Sequence, residues 1–407
     1  MTEGVNGVMT SLSVVIPAYN EEEGIATIAH RVLAIRADLL KVGVDHLELL
    51  VIDDGSNDRT AEIVNGIKGV CLIRHLQNKG YGAALKTGFC QASGDLIGFL
   101  DADGTYPPEY FPQLCALVLD GTDLVIGSRM ARATSQMPLT RRVGNLFFAR
   151  LLTLVGRQRV TDSASGMRVF KREVLERIYP LPDGLNLTPV MSTRAIHEGI
   201  RMAETPIPYS ERLGRSKLSV VQDGSIFLHS ILWTALTYNP VRILGMLGLA
   251  GISIAALVLS GLVVARLSGI TRLSPLGVAA VYTGLLSGVT GLSVFSLGIT
   301  FNYLVSLFYK QPVRQGLFGR PVFKRPLDRH FGWVGLTGLG GGMALGVTSL
   351  FLSLQGWEIA RVWLYLLVSA MLILMGVQLI IGWIVVRVLD ELSQREIRAR
   401  QDMQALN

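Results

Sequence analysis

The chain has 407 residues, half of them apolar, with a formal charge of +7 and a positive mean hydropathy. That hydropathy is high for a soluble protein, and the excess is concentrated in the C-terminal part. The basic residues crowd the loops beside those apolar runs, where anionic lipid accounts for the charge, so no nucleic-acid partner is called for.

From the N-terminus, Met1 to Thr10 lacks a basic start and the apolar run Leu12–Ile16 is too short for a signal core, so no secretory signal is expected. Leu12–Ile16, Leu47–Ile52, Val70–Arg74, Leu96–Leu100 and Leu124–Ile126 read as strands. Between them, Glu22–Lys41, Asp58–Asn65, Tyr81–Ala92 and Pro108–Leu119 read as helices. This alternation predicts an α/β domain with a mainly parallel sheet and helices on both faces. The three cysteines (Cys71, Cys90, Cys115) lack metal-ligand spacing and read as free thiols in a reducing compartment.

Between Leu218 and Asn239, Phe227, Ile231, Leu232, Trp233, Leu236 and Tyr238 crowd one short stretch. It is either an amphipathic helix lying in a membrane interface or a helix packed on the preceding domain. Pro240 then breaks it from the first long apolar run. Val241–Ala265 carries one charge, Arg242, at its start, and Leu276–Tyr309, Gly332–Leu354 and Val362–Val386 carry none. Each exceeds the roughly 20 residues that span a bilayer core. The chain therefore divides into an α/β domain (1–217), an amphipathic juxtamembrane segment (218–240), four spans within 241–390 (241–265, 276–309, 332–354 and 362–388) and a basic tail (391–407).

The loop at 310–330 holds Lys310, Arg314, Arg320, Lys324, Arg325 and Arg329, and the tail holds Arg395, Arg398 and Arg400. By the positive-inside rule both are cytoplasmic, and an even number of spans puts the α/β domain there too. The expected location is the cell inner membrane. The span cores hold no acidic residue, which argues against an ion pathway, and the Gly338–Gly342 stretch fits close helix packing.

A polar cluster follows each of the first four strands: Pro17-Ala18-Tyr19-Asn20-Glu21, Asp53-Asp54-Gly55-Ser56, Asn78-Lys79-Gly80-Tyr81-Gly82, and Asp101-Ala102-Asp103. In open α/β sheets the C-terminal strand ends are the ligand-binding edge. Tyr19 can wall or stack on a base, Asp53 or Asp54 can accept from base or ribose donors, and Gly80 and Gly82 permit close backbone approach at a helix N-terminus. Asp101 and Asp103 supply hard oxygen ligands for a divalent cation that also grips phosphate. Singly, each cluster is also an ordinary turn or N-cap pattern.

The ordered set resembles the family 2 glycosyltransferases of GT-A fold. Gly127-Ser128-Arg129, Asp162-Ser163-Ala164-Ser165-Gly166-Met167-Arg168 and Gly214-Arg215-Ser216-Lys217-Leu218 narrow the resemblance to the polyprenyl-phosphate sugar synthases, such as dolichyl-phosphate mannose and glucose synthases. The resemblance spans residues 10–235 and implies metal-dependent, inverting transfer of one sugar from a nucleotide-diphosphate sugar of the UDP-glucose or GDP-mannose type to a polyprenyl phosphate.

By this resemblance Pro17, Tyr19, Glu21, Asp53, Asp54, Lys79, Gly80, Ala102 and Thr105 belong to the nucleotide-sugar site, and Asp101 and Asp103 hold Mg²⁺ or Mn²⁺. Arg129, Arg141, Arg212, Ser216 and Lys217 meet donor or acceptor phosphates. Asp162 is a base, an orienting carboxylate, or an N-cap for the segment near Ser165. Where relatives carry Leu-Gln after the acidic triplet, this chain has Gly104-Thr105, so the sugar stays open; the Arg212–Gly214 spacing is also tighter than the family's. A lipid phosphate is already anionic, so the chemistry needs positioning, charge stabilisation and water exclusion rather than a strong base. Two alternatives stand beside this reading. One is a processive polysaccharide synthase, although no Gln-x-x-Arg-Trp motif is present. The other is a carrier of lipid-linked sugars with a nucleotide-sugar sensing domain. Homo-oligomerisation stays open.

Overall fold

Apolar residues on both faces of a strand require cover on both faces, and the computed structural model shows that arrangement. It describes residues 10–130, 137–155, 158–210, 220–270, 274–309, 327–357 and 359–405. Two compact units divide at Ala235/Leu236.

In the first unit the order is β1 (Thr10–Ala18), α1 (Ile25–Ala34), α2 (Arg36–Lys41), β2 (Val44–Asp53), α3 (Thr60–Asn65), β3 (Val70–Arg74), α4 (Tyr81–Gln91), β4 (Leu96–Phe99), α5 (Phe111–Leu119) and β5 (Leu124–Ser128). Then come α6 (Leu139–Val155), β6 (Arg168–Lys171), α7 (Val174–Ile178), α8 (Leu187–His197), β7 (Met202–Pro206) and α9 (Val220–Tyr238). One seven-stranded sheet has the order β3-β2-β1-β4-β6-β5-β7. Every pairing is parallel except those of β6, which runs against both β4 and β5. Alternate residues feed two cores. Val14, Ile16, Leu49 and Val51 pack with α1, α2 and α5, whereas Val15, Leu50, Ile52 and Ile97 pack with α4, α7 and α8.

All five expected strands form, three of them lengthened at their ends by pairing with neighbours. The segment expected as one helix, Glu22–Lys41, is two helices, because the chain bends at the buried Ile35 between Val32 and Leu39 of the same core. Strands β6 and β7 were not expected. They are four and five residues long, and their Arg, Lys and Glu positions hide the apolar pattern.

The juxtamembrane segment forms helix α9. Ile231 and Ala235 are buried and Asn186 Nδ2 donates to Ser230 Oγ at 2.7 Å, while Ile226 and Trp233 are exposed. After the break, Asn239 caps the next helix by accepting from the Arg242 N–H at 3.2 Å, and Pro240 occupies its first turn.

The second unit holds α10 (Pro240–Leu267), α11 (Pro275–Tyr309), α12 (Phe331–Leu354) and α13 (Ile359–Ala405). All four are long and apolar enough to cross a membrane. The last continues through most of the segment expected as a separate tail, since no Gly or Pro interrupts the chain between Val386 and Ala405. Helix α10 packs on α11, α12 on α13, and α11 on α13. Glycines set the closeness: a Cβ at Gly248 would lie 2.6 Å from the Gly291 carbonyl oxygen, and one at Gly335 would lie 2.8 Å from that of Gly376.

Phe89 is fully buried between Phe99 (ring centroids 5.7 Å apart) and Phe170 (5.5 Å, edge-on), joining α4 to two central strands. Phe89→Ala is therefore expected to destabilise the α/β unit by about 3–5 kcal/mol, read as a lowered unfolding transition of the full-length protein in detergent.

Candidate active site

Six strands end at one edge of the sheet, and the reversed strand β6 begins there, so the segment Asp162–Arg168 arrives at the same place as the four polar clusters. A cavity of about 510 Å³ opens at this edge. Pro17, Tyr19, Glu21, Asp54 and Gly80 line one part of it, and Asp101, Ala102, Asp103, Thr105, Arg129 and Arg141 line the rest. Asp53, Lys79 and Asp162 do not line it. Arg212, Ser216 and Lys217 lie outside the described residues.

The loops after β1 and β2 are laced together. Asn20, with φ of 49°, accepts from the Asn57 N–H at 2.8 Å, while the Asn20 and Glu21 N–H groups donate to Ser56 Oγ and Thr60 Oγ1, both at 2.9 Å. Asp53 turns away from the cavity. Its carboxylate is buried and accepts from Arg74 Nε at 3.1 Å and the Ser56 N–H at 3.1 Å, so it holds the loop rather than facing a ligand.

Asp54 docks the loop after β3. It accepts from the Lys79 N–H at 2.9 Å and the Gly80 N–H at 2.8 Å, and His75 Nδ1 lies 2.6 Å from its Oδ1. Lys79 thus contributes through its backbone. His75 is buried and also meets Thr87 Oγ1 at 2.9 Å. The glycines of this loop permit a close approach, but to the chain's own backbone. A Cβ at Gly80 would lie 2.6 Å from the Asp183 carbonyl oxygen, and one at Gly82 would lie 2.8 Å from the Asp183 carbonyl carbon.

Beyond β4, Tyr81 donates to Asp101 Oδ1 at 2.8 Å. Burial and the adjacent carboxylate push the Tyr81 phenol far above its ordinary pKa, so it stays a donor. Asp103 Oδ1 accepts from both the N–H (3.1 Å) and the hydroxyl (2.6 Å) of Thr105. Thr105, the departure from the family pattern, here orients the second acid. Gly166 sits against Asp101, where any Cβ would strike the carboxylate, and its N–H donates to Tyr106 Oη at 2.7 Å.

Among the described residues no three His, Cys, Asp or Glu side chains gather as a metal site. Two carboxylates at the mouth of a cavity suit a cation whose remaining ligands are phosphate oxygens and water, which is how Mg²⁺ is usually held. The donor set therefore fits the expected ion.

Arg129, at the end of β5, donates through Nε and Nη2 to both oxygens of Asp162 at 2.8 Å, and its N–H adds a third bond at 2.9 Å. Its guanidinium carbon lies 5.7 Å from the Tyr106 ring centroid and 5.6 Å from that of Tyr209. Asn145 of α6 donates to Asp162 Oδ1 at 2.8 Å. Burial opposes charge on Asp162, yet the Arg129 guanidinium and these donors hold its carboxyl below the ordinary range. Asp162 is an orienting carboxylate in this geometry, and no helix begins on it. His75, Tyr81 as an acid partner, Tyr106, Asn145 and Tyr209 were not expected; the only local hint was the position of Tyr81 within the Asn78–Gly82 cluster.

These features define a GT-A glycosyltransferase domain joined to a helical membrane region. Residues 13–179 match glycosyl transferase family 2, and residues 240–400 match a domain of unknown function (DUF8752). The chain is 34% identical over 220 residues to a dolichyl-phosphate hexose transferase of Haloferax volcanii, covering 54% of this chain and 92% of that one. It is 32% identical over 271 residues to an undecaprenyl-phosphate 4-deoxy-4-formamido-L-arabinose transferase of Photorhabdus laumondii, covering 64% and 77%. The chain belongs to glycosyl transferase family 2: it is a glycosyltransferase and an integral membrane protein. Among solved structures, glucosyl-3-phosphoglycerate synthase of Mycobacterium tuberculosis with Mn²⁺, UDP and phosphoglyceric acid aligns at TM-score 0.42 and 21% identity, covering 56% of this chain and 78% of that one. A mannosyltransferase of Pyrobaculum calidifontis with GDP-mannose and Mn²⁺ aligns at 0.39 and 17%, covering 91% and 86%.

Asp162→Asn removes the charge facing Arg129 and is expected to cost about 3 kcal/mol. Because the folded pKa is depressed, the stability that Asp162 contributes is present above its unfolded value near about 4 and is lost as pH falls through the folded one. Denaturation of wild type and variant across acid pH checks this: their stability gap should be constant above about pH 5 and should narrow below about pH 4.

Proposed function

We propose that this protein transfers a single hexose, with inversion, from a nucleotide-diphosphate sugar to a polyprenyl phosphate at the cytoplasmic face of the inner membrane. The observation that carries the reading is the composition of one cavity, with an acid pair, Asp101 and Asp103, and two arginines, Arg129 and Arg141, in its walls. The Haloferax and Photorhabdus relatives, whose names specify polyprenyl-type lipid phosphates, support the acceptor class. The basic loop at 310–330 and the tail support the orientation.

In this reading each residue of the cavity has a role. Pro17, Tyr19, Glu21 and Asp54 form the wall for the nucleoside. Asp101 and Asp103 would hold Mg²⁺ or Mn²⁺, which supplies charge neutralisation to the departing nucleoside diphosphate. Arg129, held by Asp162 and flanked by Tyr106 and Tyr209, gives a fixed positive charge for a phosphate and needs little reorganisation as charge moves. Arg141 adds a second cation. The lipid phosphate oxygen attacks the anomeric carbon as the bond to the diphosphate breaks, with no proton to remove.

Membranes holding the full-length protein, incubated with a panel of labelled nucleotide sugars and undecaprenyl phosphate, should yield one lipid-linked monosaccharide. Asp103→Ala should lower that yield by about 10²-fold or more without unfolding the protein. Undiminished turnover in the variant would remove the acid pair from the mechanism, and a polymeric product would favour a processive synthase.

A further inference from the structure

Helix α6 presents three different faces. Thr140, Arg141, Gly144 and Phe148 line the cavity; Asn145, Ala149 and Leu152 are buried; Leu139, Val143, Phe147 and Leu154 are exposed. These exposed apolar residues share their side of the helix with the exposed Arg150. Helix α9 faces the same cavity with Asp223, Gly224 and Phe227. The two helices meet where Phe148 and Phe227 approach, their ring centroids 5.9 Å apart.

Gly144 and Gly224 have no local reason to be glycine. A glycine inside a helix costs about 0.5–1 kcal/mol relative to alanine, and it is usually explained by a positive φ or by a neighbour that leaves no room. Neither applies. Both residues have ordinary helical backbone, and a Cβ at either would meet no heavy atom of the described residues within 4 Å. Elsewhere at this site glycines are forced: a Cβ at Gly24 would sit 2.9 Å from the Ala102 carbonyl oxygen. What the two helical glycines leave is space in the cavity wall among the described residues.

The chemistry around that space is graded. Arg141 lies three residues before Gly144 on the cavity face, and Phe148 lies one turn after it, with Leu185 and Phe227 across the gap. From Arg141 to Phe148 the helix rises about 10 Å. Along α6 the lining thus passes from a cation, across Gly144, to aromatic surface, while on α9 Asp223 stands beside Gly224 and Phe227 follows. That matches an amphiphile with an anionic head and a branched hydrocarbon chain.

We infer that Gly144 and Gly224 form a slot for the phosphate-proximal isoprenoid carbons of the acceptor, with the Phe148–Phe227 pair at its far end. The inference rests on the proposed lipid-phosphate acceptor and adds the residues that select the acceptor's hydrocarbon part. Side chains at either position fill the slot without disturbing the nucleotide wall.

The test uses full-length protein in lipid nanodiscs carrying Gly144→Ala, Gly144→Leu or Gly224→Leu. Thermal stability should be unchanged, or slightly raised for Gly144→Ala, and donor KM should stay within twofold of wild type. Acceptor KM for undecaprenyl phosphate should rise in the order Gly, Ala, Leu at position 144, reaching tenfold or more in Gly144→Leu. An acceptor KM within twofold of wild type in folded Gly144→Leu overturns the slot, as does an equal rise in donor and acceptor KM. Binding of fluorescent undecaprenyl phosphate without donor separates this inference from the reaction it rests on. Weaker binding in Gly144→Leu supports the slot even if no sugar is transferred, and unchanged binding overturns it even if transfer proceeds.

Discussion

Carboxylates buried at a sheet edge must each find partners, and that demand organises the α/β unit. Asp53 and Asp162 are fully buried and Asp54 nearly so. An unpaired buried charge costs several kcal/mol, comparable with much of the net stability of a domain. Each acid therefore fixes a different piece of chain. Asp53 holds the turn after β2 through Ser56 and Arg74; Asp54 holds the loop after β3 through two N–H groups and His75. Asp162 joins the end of β5 to α6 through Arg129 and Asn145. The loops beside the cavity are ordered through these acids because leaving any of them unsatisfied would cost more than ordering the chain.

The same demand explains what could be read from the sequence and what could not. Apolar runs ending in polar clusters are local patterns, and the first five strands and the Asp101–Asp103 turn were legible from them. The partners of the acids are not local. His75 is 21 residues from Asp54, Tyr81 is 20 from Asp101, and Asp162 is 33 from Arg129. Sequence pattern marks a buried carboxylate and its turn, but only the folded sheet shows which side chain answers it. Glycine misleads in the same way. Gly80 and Gly82 look like a ligand-facing loop, yet the backbone that crowds them is that of residues 182–184.

Arg168 shows the constraint from the cationic side. It is the first residue of β6, fully buried, opposite Phe99 of β4 and Ile126 of β5. Its Nη2 and Nε donate to the Ser163 and Ser165 carbonyls at 2.7 and 3.2 Å, and its Nη1 has no partner among the described residues. Burial pushes its pKa down to about 10, with the negative field of Asp162 opposing the shift. A guanidinium spent on two carbonyls shapes the segment that brings Gly166 against Asp101. A lysine could not hold both carbonyls with one rigid fork. The segment was legible as a motif, but the motif assigned Arg168 no role of its own, and its part as a buried brace shows only in the fold.

The membrane unit solves a different problem with repetition. Gly245, Gly248 and Gly251 recur at three-residue spacing in α10, and Gly335, Gly338 and Gly341 do so in α12. In each hairpin the first helix meets a glycine of the second, Gly291 or Gly376, at backbone distance. Two residues beyond each of those glycines stand Ser293 and Gln378, and Gln378 Nε2 donates to Ser293 Oγ between α11 and α13. The two hairpins thus share a close-packing device and join through equivalent positions. In lipid, where apolar surface gives little drive for helices to associate, van der Waals contact between bared backbones and a shared hydrogen bond are the forces left to hold them. The parallel between the hairpins is carried by glycine spacing rather than by bulk hydrophobicity, so a search for apolar runs finds the spans and misses their kinship.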